Sequence, residues 1–127
     1  MKRGFTLLEL IVVIIIIGIL ATLGFAQYTK TIEKGRAAEA KVVLGQIRSA
    51  QEVYKLQNGV YASDPADLAV SAPGSCTTTN YFSYGTNNTT GVATRCTSGG
   101  KSPDSATVYY VNITYATSAW TGTPGYY

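Results

Sequence analysis

The sequence begins with Met1-Lys2-Arg3-Gly4-Phe5-Thr6-Leu7-Leu8-Glu9-Leu10, and a run rich in Leu, Ile and Val follows. Between Phe5 and Gln27 the single charged residue is Glu9. At about 1.5 Å per residue, a helix over these positions exceeds the roughly 30 Å hydrocarbon core of a bilayer. We call residues 5–27 the apolar segment, and its length and composition predict a transmembrane helix.

Two ordinary interpretations of the apolar segment compete with a more specific one. A secretory signal peptide would use the basic start of the chain and the small residues Gly24 and Ala26, with a cut after Ala26. A plain N-terminal anchor would place Glu9 near the membrane interface. Neither interpretation gives Glu9 a role, although a carboxylate at the centre of a membrane helix costs about 2.5–3.5 kcal/mol on insertion scales.

The order of the residues favours a third interpretation. A short basic leader, Met1-Lys2-Arg3-Gly4, precedes Phe5-Thr6-Leu7-Leu8-Glu9-Leu10, and in this the chain resembles a type IV prepilin. The resemblance implies that a prepilin peptidase cuts between Gly4 and Phe5 and methylates the new N-terminus at Phe5. Glycine suits the position before the cut because it has no side chain and permits an extended or turned backbone.

The resemblance also implies a role for Glu9. Cleavage would create an α-amine at Phe5, about one helical turn from Glu9, in a region where an unpaired carboxylate is costly. In the family this carboxylate neutralises the N-terminal amine of a neighbouring subunit, which helps to dock each new subunit in the filament. We therefore expect Glu9 to act in assembly.

The residues after the apolar segment have a different pattern. Their apolar positions recur at steps of three and four, which is typical of one buried stripe on an amphipathic helix. These positions are Ala40, Val43, Ile47, Ala50 and Tyr54. Asn58-Gly59 is a good stop, since both residues tolerate the left-handed conformation that ends many helices. The sequence predicts one helix from about Phe5 to Asn58.

A helix of this length with an apolar first half needs burial in lipid or in protein. The resemblance supplies a membrane before assembly and a helical bundle in the filament core afterwards, so it implies a homopolymer. Many members of the family carry a proline near the end of the apolar run. This sequence has Leu23-Gly24-Phe25-Ala26-Gln27 there, and so it gives no reason to expect a melted stretch of helix.

Residues 59–127, which we call the head, are rich in Thr, Ser, Gly and Tyr, a composition that favours strands and loops. Asp64-Pro65 is a cap followed by proline at the first helical position, which predicts a short helix to about Val70. Weak strand patterns at residues 80–84 and 91–94 flank a turn at Asn87-Asn88.

The clearest strand pattern lies at residues 107–115. It places Tyr109, Val111, Ile113 and Tyr115 on one face of a strand. The predicted fold class is therefore α+β, and it agrees with the type IV pilin fold that the resemblance implies. A long N-terminal helix carries an antiparallel sheet of three or four strands packed on its second half.

Cys76 and Cys96 are the two cysteines of the chain. In a head that faces an oxidising compartment they predict one structural disulfide, which the chain-entropy model values at roughly 3 kcal/mol. A redox or metal role is disfavoured because the sequence has neither a Cys-x-x-Cys motif nor a histidine.

The absence of histidine also excludes serine-histidine-acid triads and zinc sites that need imidazole. A membrane-anchored enzyme would need a catalytic constellation in the head, and none is recognisable, so we predict no enzymatic activity, no cofactor and no metal site. Beyond Leu56 the basic residues are Arg95 and Lys101, which argues against specific nucleic-acid binding.

These observations predict a structural subunit that polymerises into an extracellular type IV pilus after leader cleavage. The alternative is the major pseudopilin of a type II secretion system, which shares the N-terminus and resembles residues 54–61. The resemblance implies that such a pseudopilin usually has a calcium-binding loop and no disulfide in its head, so the cysteine pair and the scarcity of acidic residues favour the pilus. The predicted partners are other copies of the chain, the inner membrane, a prepilin peptidase and the pilus assembly machinery.

The predicted organisation has four parts. They are a leader peptide at residues 1–4, a transmembrane and filament-core helix at 5–27, an amphipathic helix packed on the head at 28–58, and the head. The precursor is expected in the inner membrane and the assembled subunit in a pilus on the surface of a bacterium. Removal of Lys2 and Arg3 leaves eight basic and seven acidic side chains, so the net charge of +3 becomes +1.

Overall fold

The computed structural model describes residues 4–127. The predicted leader therefore lies outside the described residues except for Gly4. The chain forms helix α1 (Leu7–Asn58), a short 3-10 helix (Pro65–Asp67) and four strands. The strands are β1 (Phe82–Thr86), β2 (Thr90–Arg95), β3 (Tyr110–Thr114) and β4 (Trp120–Gly122). The predicted α+β class, a long N-terminal helix with a small antiparallel sheet, is confirmed.

Two compact units make up the chain, one at residues 1–33 and one at residues 34–127. By length and composition alone, α1 is able to cross a membrane, and the apolar window that qualifies it is not buried within the chain. The second unit contains the hydrophobic core and the whole sheet. The four-part organisation expected from the sequence stays a prediction.

Helix α1 begins two residues later than predicted and ends where predicted. Leu7 is its first residue because the Thr6 hydroxyl caps the helix by accepting from the Glu9 amide. At the other end Gly59 has a left-handed φ of 79°, and its N–H donates to the Lys55 carbonyl over 2.7 Å. Glycine reaches this conformation without steric cost, which ends the helix at Asn58.

The sheet is an antiparallel meander in the order β1-β2-β3-β4. The predicted turn at Asn87-Asn88 joins β1 to β2, and the Asn87 side-chain oxygen accepts from the amides of Thr89 and Thr90 over 2.8 and 2.7 Å. Strand β4 was not predicted from the sequence. It has three residues and ends in a glycine, too short a stretch for alternation to be recognised.

The core lies between the second half of α1 and one face of the sheet. Strand β3 is shorter than the strand predicted at residues 107–115, since it spans Tyr110–Thr114. The four residues that alternation placed on one face nevertheless all belong to the core. Tyr109, Val111, Ile113 and Tyr115 are all buried. This part of the prediction is confirmed.

The buried stripe of α1 is rotated relative to the predicted one. Ala40 and Ile47 are fully buried as expected, whereas Val43, Ala50 and Tyr54 are only partly buried. Leu44 and Gln51 occupy the centre of the stripe instead. Hydrophobic periodicity could not place a glutamine inside the core, because a buried amide is tolerated only where hydrogen bonds satisfy it.

The short helix after Asp64 is also smaller than predicted, since it ends at Asp67 instead of near Val70. The Asp64 carboxylate accepts from the Ala66 amide over 2.9 Å, which confirms the expected cap. Leu68 then adopts an extended conformation and is buried in the core. Burial of this leucine stops the helix after one turn.

Candidate functional site

The residues predicted for processing and assembly lie at the start of α1. Gly4, Phe5 and Thr6 precede the first helical residue. Phe5, predicted to begin the helix, therefore lies outside it. The Phe5 side chain is 81% exposed. A Cβ added at Gly4 would meet no atom of the described residues within 4 Å. Packing in the described chain therefore does not account for a glycine at this position.

Thr6 and Glu9 form a reciprocal pair at the helix start. The Thr6 hydroxyl oxygen accepts from the Glu9 amide over 3.2 Å. In return, the Glu9 Oε2 accepts from the Thr6 amide over 2.8 Å and from the Thr6 hydroxyl over 2.9 Å. This is a capping box, in which a threonine and a glutamate three residues later satisfy two backbone donors. The Thr-x-x-Glu spacing is the recognised signature of a capping box, so the sequence alone carries the signal for it.

The capping box determines where the Glu9 charge lies. The carboxylate sits in the first turn of α1, where the positive end of the helix dipole stabilises an anion. Both of its bonds to Thr6 end on Oε2, so the carboxylate keeps acceptor capacity for a further donor. Chemically, the arrangement can hold a positively charged amine next to the start of the chain.

The apolar segment presents large side chains on every side of α1. They are exposed at Leu7, Leu8, Leu10, Ile11, Val12, Val13, Ile14, Ile15, Ile16, Ile17, Ile19, Leu20, Leu23 and Phe25. The polar Thr22 pairs within the helix, since its hydroxyl donates to the Ile19 carbonyl over 2.8 Å. A hydroxyl satisfied by its own backbone adds little to the cost of burial in lipid or in protein.

The predicted disulfide is confirmed. Cys76 and Cys96 are joined, with their Cα atoms 5.7 Å apart, and Cys96 follows directly after β2. Gly100 packs against this bridge, because a Cβ at that position would lie 2.3 Å from the Cβ of Cys96. Cys76, Cys96 and Gly100, which we call the disulfide cluster, all belong to the second unit.

Arg95 is a buried structural residue, whereas the sequence indicated only a basic residue of the head. Its side chain is 2% exposed. Nη1 donates to the carbonyls of Tyr81 and Cys96 over 3.1 and 3.0 Å, and Nη2 donates to the Ser102 carbonyl over 2.6 Å. One guanidinium therefore links the end of β2 to Tyr81, just before β1, and to Ser102, in the segment after Cys96.

Two further features determine the electrostatics near the disulfide cluster. The Thr107 hydroxyl, the Ala106 amide and the nearby Arg95 hold the pKa of Asp104 below its ordinary value. The Arg36 guanidinium and the Lys101 ammonium lie 4.7 and 4.9 Å from the centre of the Tyr81 ring. Among the described residues, no group of three or more His, Cys, Asp or Glu side chains is placed to hold a metal ion.

Comparison with known proteins identifies the N-terminal region. Residues 1–25 match the family model for the prokaryotic N-terminal methylation motif. The matched residues include Gly4, Phe5 and Glu9, and they extend through most of the apolar segment.

Three similar proteins show the range of relatives. The fimbrial protein EcpC of Eikenella corrodens is 35% identical over 71 residues, which cover 56% of this chain and 46% of the relative. The type II secretion system core protein G of Pectobacterium carotovorum subsp. carotovorum is 42% identical over 67 residues, or 53% and 43% of the two chains. The type IV major pilin protein PilE of Neisseria gonorrhoeae is 32% identical over 75 residues, or 59% and 45%. The similarity therefore spans less than half of each relative.

Proposed function

We propose that the chain belongs to the type IV pilin and pseudopilin family and is a structural subunit that polymerises into an extracellular type IV pilus. The family is structural, and we assign the chain no enzymatic activity. The observation that carries the proposal is the Glu9 carboxylate, held by Thr6 at the start of an exposed apolar helix.

The first step of the proposed function is processing. A prepilin peptidase hydrolyses the peptide bond between Gly4 and Phe5 and methylates the new amine of Phe5. The exposure of Phe5 supports this step, and so does the position of both residues before the first turn of α1. The open space around Gly4 also supports it. Packing in the described chain does not require a glycine there, whereas recognition by the peptidase does.

The second step is assembly. The new amine of one subunit pairs with the Glu9 carboxylate of a neighbouring copy, and the remaining acceptor capacity of that carboxylate supports this pairing. The apolar segment leaves the inner membrane and is buried among other copies, with the help of the pilus assembly machinery. The precursor is thus an inner-membrane protein, and the product is a homopolymer on the surface of a bacterium.

A second candidate is the major pseudopilin of a type II secretion system. The observation that favours it is the 42% identity to core protein G of Pectobacterium carotovorum subsp. carotovorum. Electron microscopy of material sheared from cells, labelled for this chain, separates the two candidates. Long labelled surface filaments support the pilus, and their absence from cells that express the chain contradicts it.

Substitution of Glu9 tests the assembly step. Glu9→Ala is expected to leave a cleaved, membrane-inserted protein whose filament yield falls at least about tenfold, because the partner of the amine is lost. Glu9→Gln is the matched variant, since glutamine also completes a capping box but carries no charge. We expect both variants to fail in assembly.

The filament yield of sheared cells, compared with the amount of cleaved protein in membranes, gives the result. Normal yield from Glu9→Ala contradicts the proposed function. Normal yield from Glu9→Gln alone shows that the cap, and not the charge, is required. An intact mass from filaments that still includes residues 1–4 contradicts the processing step.

A further inference from the structure

Three basic side chains of the second unit gather at one tyrosine ring. The Arg36 guanidinium and the Lys101 ammonium lie 4.7 and 4.9 Å from the centre of the Tyr81 ring. The Arg95 guanidinium lies 5.6 Å from the same centre and is buried. Lys34, which precedes Arg36 on α1, is exposed, and so is Lys101. We call Lys34, Arg36 and Lys101 the basic patch.

The fold brings charges that are distant in the sequence to this ring. Lys101 belongs to the irregular segment after Cys96, and its amide donates to the Asn80 carbonyl over 2.8 Å. Arg36, in contrast, belongs to α1. Like charges at short range repel one another, and the face of an aromatic ring offsets only part of that cost. An anion next to the basic patch would offset more of it.

The two arginines already have partners within the chain. The Asp104 carboxylate interacts with Arg95, and both Arg36 and Arg95 make further contacts. Lys34 and Lys101 are the exposed members of the basic patch. An anion from outside the chain therefore meets these two ammonium groups first.

Near the end of α1 the second unit carries the opposite charge. Glu52 lies in this part of the helix, and Asp64 and Asp67 follow it in the head. Asp67 lines the same groove as Val53, which places this carboxylate beside the end of α1. The basic residue in the last turn is Lys55. An anionic surface is thus attracted to the basic patch and not to this end of α1.

The basic patch begins shortly after the apolar segment. Lys34 follows Gln27 by seven positions in the sequence. Tyr28 is 64% exposed, and tyrosine is enriched where membrane helices leave the hydrocarbon core. Basic residues are disfavoured on the translocated side of a membrane helix. A surface of anionic lipids attracts such residues within about one Debye length, roughly 10 Å at 0.1 M salt.

We propose that the basic patch binds the phosphate groups of anionic lipids at the surface of the membrane that α1 crosses. The inference rests on one part of the proposed function, the membrane-inserted precursor, and adds an interaction of the head to it. Bound lipid holds the head at the membrane surface until the subunit enters a filament. Nucleic acid has the same phosphate chemistry, but its binding usually relies on about 6–10 phosphate contacts, more than this patch supplies.

Lysine labelling of the full chain in lipid nanodiscs tests the proposal. Lys101 and Lys55 are a matched pair, because their ammonium groups lie 4.9 and 4.4 Å from the ring centres of Tyr81 and Tyr61. With an uncharged amine-reactive reagent, Lys101 should react at least about threefold more slowly in phosphatidylglycerol nanodiscs than in neutral phosphatidylcholine nanodiscs. Lys55 should react equally in both. The difference at Lys101 should disappear at 1 M salt, where the Debye length is about 3 Å.

Three outcomes of this labelling contradict a specific claim. Equal slowing of Lys101 and Lys55, or none, overturns the inference alone. Slowing of Lys101 by a DNA duplex in neutral nanodiscs, without slowing by phosphatidylglycerol, assigns the basic patch to nucleic acid and overturns it too. A chain that carbonate extracts from vesicles contradicts the inserted precursor, and the proposed function then fails together with the inference.

Two double substitutions of equal charge give a second test. Lys34→Gln with Lys101→Gln removes the exposed charges of the basic patch, whereas Lys41→Gln with Lys55→Gln removes two charges further along α1. A phosphatidylglycerol with a photoreactive headgroup should cross-link at least about fivefold less to the first variant than to the wild type. Cross-linking of the second variant should stay within about twofold of the wild type. Equal cross-linking of the two variants overturns the inference.

Discussion

Gln51 is a polar residue at the centre of the buried face of α1. Its Nε2 donates to the Ala62 carbonyl over 2.9 Å and to the Thr86 hydroxyl over 2.8 Å, and its Oε1 accepts from the Ala62 amide over 2.8 Å. Both backbone groups of Ala62 thus bond to one amide side chain, which pairs them as a neighbouring strand would. This residue attaches the chain after α1 to the helix.

Substitution of Gln51 by leucine is expected to destabilise the protein by about 2–4 kcal/mol, because the buried N–H and carbonyl of Ala62 lose their partners. The free energy of unfolding of the full chain in detergent, measured with urea, checks this value. Gln46→Leu, at an exposed position of the same helix, is the matched control and should change stability by about 0.5 kcal/mol or less. Equal effects of the two substitutions would contradict the role given to Gln51.

Tyr84 is a buried phenol whose titration makes stability depend on pH. Burial and the nearby Glu39 carboxylate raise its pKa to about 12, against 10.0 for an ordinary tyrosine. In the unfolded chain the phenol loses its proton first, so above pH 10 the folded state binds more protons than the unfolded state. Its contribution to stability is complete below pH 10 and is lost as the pH rises toward 12.

We therefore expect Tyr84→Phe to lose stability less steeply than the wild type between pH 10 and pH 12. Thermal unfolding of the full chain in detergent at a series of pH values measures the two slopes. Tyr110→Phe, at a tyrosine that is 47% exposed, is the matched control. The same slope for wild type and Tyr84→Phe would show that this phenol does not contribute.

At the scale of elements, β2 connects the sheet to an otherwise irregular part of the head. Arg95 ends the strand, and Cys96 follows it and is bonded to Cys76. The Arg95 guanidinium holds carbonyls of Tyr81 and Ser102, on either side of β2. The segment from Cys96 to β3 has no regular structure of its own, and the disulfide and this arginine contribute to its restraint, together with the Lys101 amide that donates to the Asn80 carbonyl.

Removal of the disulfide tests this restraint. The double substitution Cys76→Ser and Cys96→Ser is expected to lower the free energy of unfolding by roughly 3 kcal/mol, mainly because the unfolded chain gains freedom. Urea unfolding of the full chain in detergent measures the loss. The wild type with reductant serves as the comparison, and its free energy of unfolding should fall by a similar amount. Thiol labelling of both cysteines in wild-type filaments without reductant would contradict the bridge.

At the scale of the whole molecule, the two compact units have different surfaces. The first unit exposes the apolar segment, whereas the second holds every residue of the hydrophobic core. The core begins at Ala37, ten positions after the apolar segment ends at Gln27. The second unit therefore does not require the apolar segment to complete its core.

A chain that begins at Tyr28 is accordingly expected to be soluble, monomeric at micromolar concentration and folded. Size-exclusion chromatography without detergent and a circular-dichroism melt check this expectation, which includes a single cooperative transition. The full chain in the same buffer is the comparison, and it should aggregate because its apolar segment is exposed. Aggregation of the shortened chain, or a melt without a cooperative transition, would contradict the independence of the second unit.

Much of the fold could be predicted from local patterns. Alternation placed Tyr109, Val111, Ile113 and Tyr115 on the buried face, and Asn58-Gly59 marked the end of α1. The buried stripe of α1 was only partly right, because Gln51 is inside for a reason that periodicity does not contain. The capping box has a readable spacing that was missed, and the helix, predicted from about Phe5, begins two residues later at Leu7.

The sequence by itself determined the features that depend on neighbouring residues. These are the N-terminal motif, the length and apolar character of the first half of α1, and the strand alternation, since each follows from local spacing and composition. The tertiary structure alone decided which polar groups are buried. Gln51 lies inside because the Ala62 backbone and the Thr86 hydroxyl bond to its amide, and Arg95 lies inside because the carbonyls of Tyr81 and Ser102 accept from its guanidinium. Such pairing arises only when separate segments pack together, and no local pattern encodes it.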